Sequence, residues 1–235
     1  MRRLTYILFV IFIFLFVASC GLDTKVNLFI GDLLEVVEKS ETIMTKSTVK
    51  LEVGSNDECR KEQKNLISYV ETYIGKVKNP RCIDEDMSSF FVLNTQIPVF
   101  KYKHIPNSHT MKSVQGPKRI FSIGIRQGNK KYHDWGNYSV AVKINNNMFE
   151  ELNSILSDKY FSTLEPKDIK LSIDLSNDLR QDTEVLLMSS YVDGIPEPLF
   201  TERKLSRRGN INIEVSTISM LHKFKNSGGT IFQFK

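Results

Sequence analysis

Residues 43–53 read IMTKSTVKLEV, in which every second residue is hydrophobic or small: Ile43, Thr45, Ser47, Val49, Leu51 and Val53. Successive side chains of a β-strand point to opposite faces, so this alternation predicts a half-buried strand. The same pattern recurs in four shorter segments, 121–125, 140–144, 171–175 and 211–215. Two nearly continuous apolar runs, 90–100 and 185–192, predict central strands of the same sheet.

Two segments show helical spacing instead. Ser55 to Glu58 forms a capping box, and the hydrophobic spacing that follows predicts a helix over about 56–74. Asn147, with Glu150 three residues later, predicts the start of a second helix over about 148–160. Because strands outnumber helices, we expect an α+β fold with a largely antiparallel sheet or sandwich and two main helices.

Three short segments share a strand pattern that leads into a helix start, and they begin at Val26, Val142 and Ile213. The similarity permits either a duplicated strand–helix unit or a chance match. The segment 101–117 has no period and contains Pro106 and Pro117, as a long loop does. We therefore expect residues 26–235 to form one domain, or two packed halves that meet near 101–117.

The N-terminal segment predicts export. Arg2 and Arg3 precede 13 apolar residues from Tyr6 to Ala18, a layout typical of a secretory signal and too short for a comfortable bilayer span. The next residues complete Val17-Ala18-Ser19-Cys20, which resembles the lipobox of bacterial lipoproteins. The resemblance implies that residues 1–19 are removed, that Cys20 carries acyl chains such as palmitate, and that residues 20–25 form a lipidated tether. An ordinary signal peptide or an uncleaved signal anchor is the alternative.

The same resemblance implies a location in the cell envelope, with the membrane as a partner through the acyl chains. Gly21 stands where an aspartate tends to retain enterobacterial lipoproteins at the inner membrane, so the periplasmic face of the outer membrane is expected in a Gram-negative host. The body of the chain also resembles uncharacterised lipoproteins of enterobacterial prophages and plasmids, in its general texture and in the turn at Tyr191-Val192-Asp193-Gly194. That second resemblance implies no catalytic residues.

Cys59 and Cys82 remain as a pair after Cys20 is assigned to lipid. An oxidising compartment favours a disulfide between them. Cys59 lies in the first turn of the predicted helix, and the eight residues from 74 to 82 are long enough to return beside it. The alternative is two buried free thiols.

The formal net charge of +5 falls to +3 once Arg2 and Arg3 are removed, which is too little to indicate a nucleic-acid partner. The distribution is uneven, because no acidic residue lies between Met87 and His133. We take as candidate binding residues within this basic stretch Lys101, Lys103, Lys118, Arg119, Lys130 and Lys131. They would contact anionic headgroups or glycolipid, or they are solvated loop charges.

Trp135 is the only tryptophan, and it lies with two tyrosines in a short segment between two predicted strands. It is a candidate binding residue, the alternative being that it closes the core. His104, His109 and His133 do not have the spacing of metal ligands, and no motif for a catalytic nucleophile occurs, so we expect no metal, no cofactor and no enzyme activity.

These features together predict a non-catalytic, lipid-anchored envelope protein that binds another envelope component, either a protein or an anionic glycolipid. One alternative is an exclusion or immunity lipoprotein of a phage or plasmid. The other is a cell-envelope hydrolase whose site residues form no linear motif.

Overall fold

The structure is a computed structural model that describes residues 21–102, 118–129, 134–160 and 163–235. The predicted signal segment 1–19 and the predicted lipidation site Cys20 lie outside the described residues. The candidate binding residues Lys103, Lys130 and Lys131 lie outside them as well.

Thirteen strands of the described chain form a single sheet. In chain order they are β1 (Leu22–Phe29), β2 (Ile43–Val53), β3 (Lys78–Glu85), β4 (Ser88–Lys101), β5 (Phe121–Gln127), β6 (Tyr138–Ile144), β7 (Ile169–Ser176), β8 (Thr183–Met188), β9 (Ser190–Val192), β10 (Ile195–Pro196), β11 (Phe200–Leu205), β12 (Asn210–Val215) and β13 (Gly228–Phe234). The described residues also form four α-helices and one turn of 3₁₀ helix at Pro166–Asp168. The helices are α1 (Ile30–Lys39), α2 (Asn56–Tyr73), α3 (Asn146–Tyr160) and α4 (Thr217–Lys225).

The fold is strand-dominated and of mixed α and β structure. Neighbouring strands are antiparallel except for the pairs β1–β7 and β4–β5. The prediction of a strand-rich α and β fold with a largely antiparallel sheet is confirmed. The sandwich and the two main helices are wrong, because one large curled sheet carries four helices. The two predicted helices are α2 and α3. The helices α1 and α4 are shorter, and only their starts were indicated, by the strand-to-helix pattern that begins at Val26 and Ile213.

The sheet curls until its two ends meet. Its strand order is β10-β9-β12-β7-β1-β2-β4-β5-β6-β13-β8-β11, with β3 also paired to β4. Only Ser189, in the left-handed backbone region at φ 46°, separates β8 from β9. Strand β8 pairs with β13 and β9 pairs with β12. The short connection at Ser189 therefore brings together strands that lie near opposite ends of the strand order. The apolar run 185–192, predicted as one strand, is therefore a bent pair.

The sheet begins earlier than the sequence suggested. Residues 22–25 were expected in a tether, but they are the first half of β1 and pair with both β2 and β7. Leu22, Thr24, Val26 and Leu28 are buried in alternation, so the strand pattern extends through the polar residues Asp23 and Lys25. The chain is therefore held in the sheet, between β2 and β7, from Leu22 onward.

All three segments that were expected to pass from strand into helix do so, at β1–α1, β6–α3 and β12–α4. The second predicted helix starts slightly earlier than expected, and Asn145 rather than Asn147 accepts a hydrogen bond from a first-turn amide, that of Met148. Helix α2 is capped by Ser55, whose hydroxyl accepts from the amide of Glu58 at 3.2 Å. Local capping thus sets most helix starts.

A disulfide joins Cys59 in the first turn of α2 to Cys82 in β3, with the Cα atoms 6.0 Å apart. It fastens the helix to the strand that follows, as the chain length between them permits. Both faces of the sheet contribute to burial, and one hydrophobic cluster runs through nearly all the strands and helices. No helix within the described residues combines the length and apolar character needed to cross a bilayer.

Candidate binding surface

A row of five side chains crosses the outer face of strands β5, β6, β13, β8 and β11. The registers pair Arg126 with Ser139, Ser139 with Gln233, Gln233 with Leu186, and Leu186 with Glu202. Neighbouring strands are about 4.8 Å apart, so the row extends about 19 Å across the sheet. The opposite faces of these strands carry core residues such as Ile125, Val140 and Phe232. The row is therefore a polar layer on the outside of a hydrophobic sheet.

The loop residues Asp134, Trp135 and Gly136 lie on this row. Asp134 accepts two hydrogen bonds from the guanidinium of Arg126, at 2.5 and 2.8 Å. The side-chain oxygen of Gln233 accepts from the backbone amides of Trp135 at 2.8 Å and Gly136 at 3.0 Å. The side-chain nitrogen of Gln233 donates to Asp134 at 3.3 Å. Each contact joins the loop to the sheet, so the loop is held in one position.

The ion pair beneath the loop is buried, with side-chain exposures of 9% for Arg126 and 6% for Asp134. Burial by itself would lower the pKa of the Arg126 guanidinium, but the hydrogen bond and the charge of Asp134 outweigh it and raise that pKa. The pKa of Tyr102 is raised by burial, an effect that the neighbouring Arg126 guanidinium opposes. Both groups thus keep one protonation state across ordinary pH values.

Tyr102 covers the neighbouring part of the same face. It forms a second, small hydrophobic cluster with Phe100 and Ala141. Gly124 makes room for its ring, because a Cβ at Gly124 would lie 2.7 Å from the ring carbon Cδ1. The outer face of β5 and β6 is therefore filled by close packing, with the Arg126–Asp134 pair beside it.

Trp135 is half-buried and points toward the sheet edge at β11. Its indole Nε1–H donates to Glu202 at 3.0 Å, and the ammonium of Lys235 lies 3.9 Å from the centroid of its ring. Lys235 also pairs with Glu184 at 2.9 Å. The indole is fixed from both sides, which leaves a rigid aromatic surface partly open to solvent.

The hairpin formed by β8 to β11 exposes a group of hydrophobic residues. Ile195, Leu199 and Phe200 are 64%, 62% and 60% exposed, and Tyr191 is also exposed. Asp193 and Gly194 make the turn between β9 and β10, with φ values of 49° and 81°, as the Asp-Gly pair predicted. These four hydrophobic residues were not predicted as binding residues. A signal was present, since two prolines, at 196 and 198, separate Ile195 from Leu199 and Phe200 and limit their burial in a regular sheet.

Trp135 and Phe200 lie on the same side of β11. Phe200 and Glu202 are two residues apart on β11, so their side chains share a face of the strand about 7 Å apart. Since Glu202 binds the indole of Trp135, Phe200 lies on the side of β11 that carries Trp135. We call the group Trp135, Tyr191, Ile195, Leu199 and Phe200 the hairpin surface. Because Ile195 pairs with Val192 and Pro196 pairs with Tyr191, the side chains of Ile195 and Tyr191 lie on opposite faces of the β9–β10 pair.

Charges of both signs flank the hairpin surface. Arg203 forms an ion pair with Glu197, and Lys204 pairs with Asp182 at 2.8 Å. Among the described residues, β11 hydrogen-bonds as a strand to β8 alone and therefore stands at the edge of the sheet. Charged side chains on an edge strand limit unspecific pairing with other strands.

The described basic candidates do not form one patch with Trp135. Lys101 donates to the carbonyl of Val37 at 2.7 Å and to Ser40 at 3.0 Å, at the C-terminal end of α1. Arg119 donates to the carbonyl of Thr72 at 3.0 Å, at the C-terminal end of α2. Cations at helix C-termini satisfy carbonyls and interact favourably with the helix dipole. Lys118 is exposed. Two of the candidates therefore stabilise helix ends.

No metal site is found among the described residues. No group of three or more His, Cys, Asp or Glu residues in that part of the chain is placed to hold a metal ion. One small cavity, about 20 Å³, lies between α2, α3 and strands β1 and β2, and its ten lining side chains are all hydrophobic or aromatic. About one water molecule would fit such a volume. Its lining offers no group of converging polar atoms to orient a substrate.

The fold and this surface define a strand-dominated domain with an exposed aromatic and aliphatic edge. Residues 23–234 match the family described as a domain of unknown function, DUF7424, and the chain belongs to that family. No curated protein and no solved structure matches the chain.

Proposed function

We propose that this chain is a lipid-anchored envelope protein that binds another envelope protein through the hairpin surface and carries out no catalysis. The anchor rests on the resemblance of Val17-Ala18-Ser19-Cys20 to a lipobox after a basic and apolar leader. Two or three acyl chains hold a folded domain at a membrane, since each buried methylene contributes about 0.8 kcal/mol. The domain that follows is then free to present its surface to a partner.

The exposed hydrophobic cluster is the observation that carries the binding proposal. Four of the nine exposed large hydrophobic residues of the described chain lie within residues 191–200. Several exposed hydrophobic residues grouped on one short segment favour an interaction site. The cluster also has the composition of an interface centre, because Trp, Tyr, Phe and Arg are enriched there.

The partner is best matched by a protein with an apolar patch bordered by charges. The hairpin surface would bury its aromatic and aliphatic side chains at the centre of the contact, and Glu202, Arg203 and Lys204 would lie at its rim. The edge of β11 that faces away from β8 could also pair with a strand of the partner. The basic residues Lys101 and Arg119 support a glycolipid partner less well, because they bind helix ends.

The binding proposal is tested by photo-crosslinking in living cells from single positions of the full chain. A photoreactive phenylalanine analogue at Phe200 should give a defined adduct, and the same analogue at the exposed control position Met44 should not. Replacing Leu199 and Ile195 with Asp in the Phe200-labelled chain should lower the adduct yield by at least about tenfold, since both residues would lie at the centre of the contact. Equal adducts from Phe200 and Met44 would contradict the proposal.

The anchor is tested separately. Cys20→Ala should abolish labelling by a palmitate analogue and release the protein from membranes. If Cys20→Ala protein stays fully membrane-bound and the wild-type chain takes up no label, the lipoprotein assignment fails.

A further inference from the structure

The end of the sheet at Gly21 is fixed without slack. The carbonyl of Gly21 accepts a hydrogen bond from the amide of Glu52 at 2.8 Å. A Cβ on Gly21 would lie 3.2 Å from a carboxylate oxygen of Glu52 and 4.0 Å from the carbonyl of Asp168. Leu22 then pairs with Leu51 on one side and Ile169 on the other. The backbone is part of the sheet from Gly21 onward.

This leaves little chain between the proposed lipid and the folded domain. Cys20 is the residue before Gly21, and consecutive Cα atoms are about 3.8 Å apart. A flexible tether of residues 20–25 would have allowed the domain to stand off and rotate, but residues 22–25 are in β1. A lipid on Cys20 would therefore bring the Gly21 end of the sheet to the membrane surface.

That end carries one fully exposed hydrophobic side chain, Met87, which is 101% exposed. Met87 lies in the turn between β3 and β4, where Glu85 pairs with Ser88 and Asp86 has φ 54°. Leu22 is level with Leu51, and Val53 is level with Ser89, so the turn projects beyond the start of β1. Strand β4 is the second strand from β1, about 10 Å away.

The charges at this end are of both signs with acidic residues in excess, because the exposed Asp84, Glu85 and Asp86 directly precede Met87. Asp23, Glu52 and Glu85 face Lys50 and Lys170 across β1, β2 and their neighbours, and burial raises the pKa of Asp23. Lys50 forms an ion pair with Glu85 and lies over the ring of Phe90. The surface lacks the excess of cations that anionic headgroups attract. It fits a zwitterionic phospholipid surface into which one apolar side chain inserts.

We propose that the Gly21 end of the sheet rests on the bilayer that holds the acyl chains of Cys20, with Met87 inserted at the boundary between headgroups and acyl chains. This orientation rests on the proposed lipid anchor. Strand β4 then runs away from the membrane, and its 14 residues place Lys101 about 43 Å along the strand from Ser88. Lys101 and the C-terminal end of α1 therefore point away from the bilayer.

Two exposed methionines provide a matched test. Met44, near the start of β2, is 48% exposed and lies nine residues from Val53, about 30 Å along the strand from the Gly21 end. The background is the lipidated full chain with Trp135→Phe, which removes the only tryptophan. Either Met87→Trp or Met44→Trp is added to it. Each protein is reconstituted in phosphatidylcholine vesicles with or without brominated acyl chains. Brominated lipid should quench Met87→Trp about twofold, because a side chain at the acyl boundary contacts the bromines, and should leave Met44→Trp unchanged.

The outcomes separate the two proposals. A palmitate-labelled, vesicle-bound protein in which Met44→Trp is quenched as strongly as Met87→Trp, or in which neither is quenched, overturns the orientation and leaves the anchor intact. A protein that carries no lipid and does not bind vesicles overturns both. Ten Gly/Ser residues inserted between Cys20 and Gly21 should abolish the quenching of Met87→Trp while the protein stays bound, and persistent quenching would show that the short linkage does not set the orientation.

Discussion

The carboxylate of Asp134 bridges both terminal nitrogens of Arg126 beneath the Trp135 loop, and both side chains are almost completely buried. The pair joins a loop to β5, so it links the candidate binding surface to the core. Buried charges of this kind are costly when one partner is removed, because the remaining charge has no compensation.

We expect Asp134→Ala to lower the free energy of unfolding by about 3–5 kcal/mol, since it leaves the Arg126 guanidinium buried without its partner. Urea unfolding measures the change. The double variant Arg126→Met with Asp134→Ala should be less destabilised than Asp134→Ala alone. As a control, Lys167→Met breaks the exposed pair with Glu165 and should have little effect. The single variant Arg126→Met is measured as well. If the double variant loses as much free energy of unfolding as Arg126→Met and Asp134→Ala lose together, the two side chains are not coupled and this explanation is wrong.

Gly136→Ala should displace the Trp135 loop. A Cβ at Gly136 would lie 2.6 Å from the carbonyl oxygen and 2.8 Å from the amide nitrogen of Phe234, and neither backbone atom can move easily. Overpacking of this kind costs about 1–3 kcal/mol. The fluorescence of Trp135, the only tryptophan, reports the change in its surroundings. Gly229→Ala, on the strand β13 that also carries Phe234, is the control, because its Cβ would meet the flexible side chain of Lys223 at 3.3 Å. If Gly136→Ala and Gly229→Ala change the fluorescence of Trp135 equally, the close approach of Phe234 to Gly136 is not what holds the loop in place.

Loss of the disulfide should destabilise the domain without changing its fold. Cys59 and Cys82 are 23 residues apart. A cross-link that closes a loop of that size lowers the entropy of the unfolded chain and raises the free energy of unfolding by about 3 kcal/mol. The variant with both cysteines replaced by Ala should therefore unfold at lower temperature than the oxidised protein. Reductant should lower the melting temperature of the wild-type chain and leave that of the variant unchanged. A reductant effect of equal size on both proteins would show that the bond does not contribute.

Lys223 should make stability depend on pH. Its side chain is buried in α4, its ammonium donates to Ser219 at 2.7 Å, and burial lowers its pKa to about 8. In the unfolded chain the pKa is about 10.4, so the unfolded state binds more protons between pH 8 and 10.4. Stability contributed by this group therefore rises with pH through that window.

We expect Lys223→Met to be more stable than the wild-type chain at pH 7, by up to about 3 kcal/mol, because it removes the cost of a buried charge. The difference should narrow as the pH rises from 8 to 10.4. Urea unfolding at several pH values measures it, with the exposed Lys225→Met as control. A difference that does not change with pH would exclude titration of Lys223 as its cause.

Several local features could be predicted because the residues that cause them are neighbours. The alternation in 43–53 gives β2, Ser55 caps α2, and Asp193-Gly194 gives a tight turn. The candidate binding residues were less predictable. Lys101 and Arg119 were singled out as part of a basic stretch, but their partners are carbonyls at helix ends that lie 64 and 47 residues away.

The start of α1 shows the limit most clearly. Its N-cap residue Phe29 offers no side-chain acceptor, and the amide of Gly31 instead donates to Asp178 at 2.8 Å, across 147 residues. A sequence window around Phe29 contains no sign of that carboxylate. The cap exists only because β7 lies parallel to β1 and carries the loop containing Asp178 to the same end.

The sequence by itself determined many of the strand and helix segments and a pair of cysteines within bridging distance, and it predicted a leader that ends at Cys20, because each depends on periodicity or on chain length over a few residues. The tertiary structure alone decided the strand order, the bend at Ser189 that joins the ends of the sheet, the burial of Arg126 with Asp134, and the exposure of Phe200 beside Trp135. These features depend on which distant strands become neighbours. That choice is made by burial of the whole hydrophobic cluster at once, which no local pattern records.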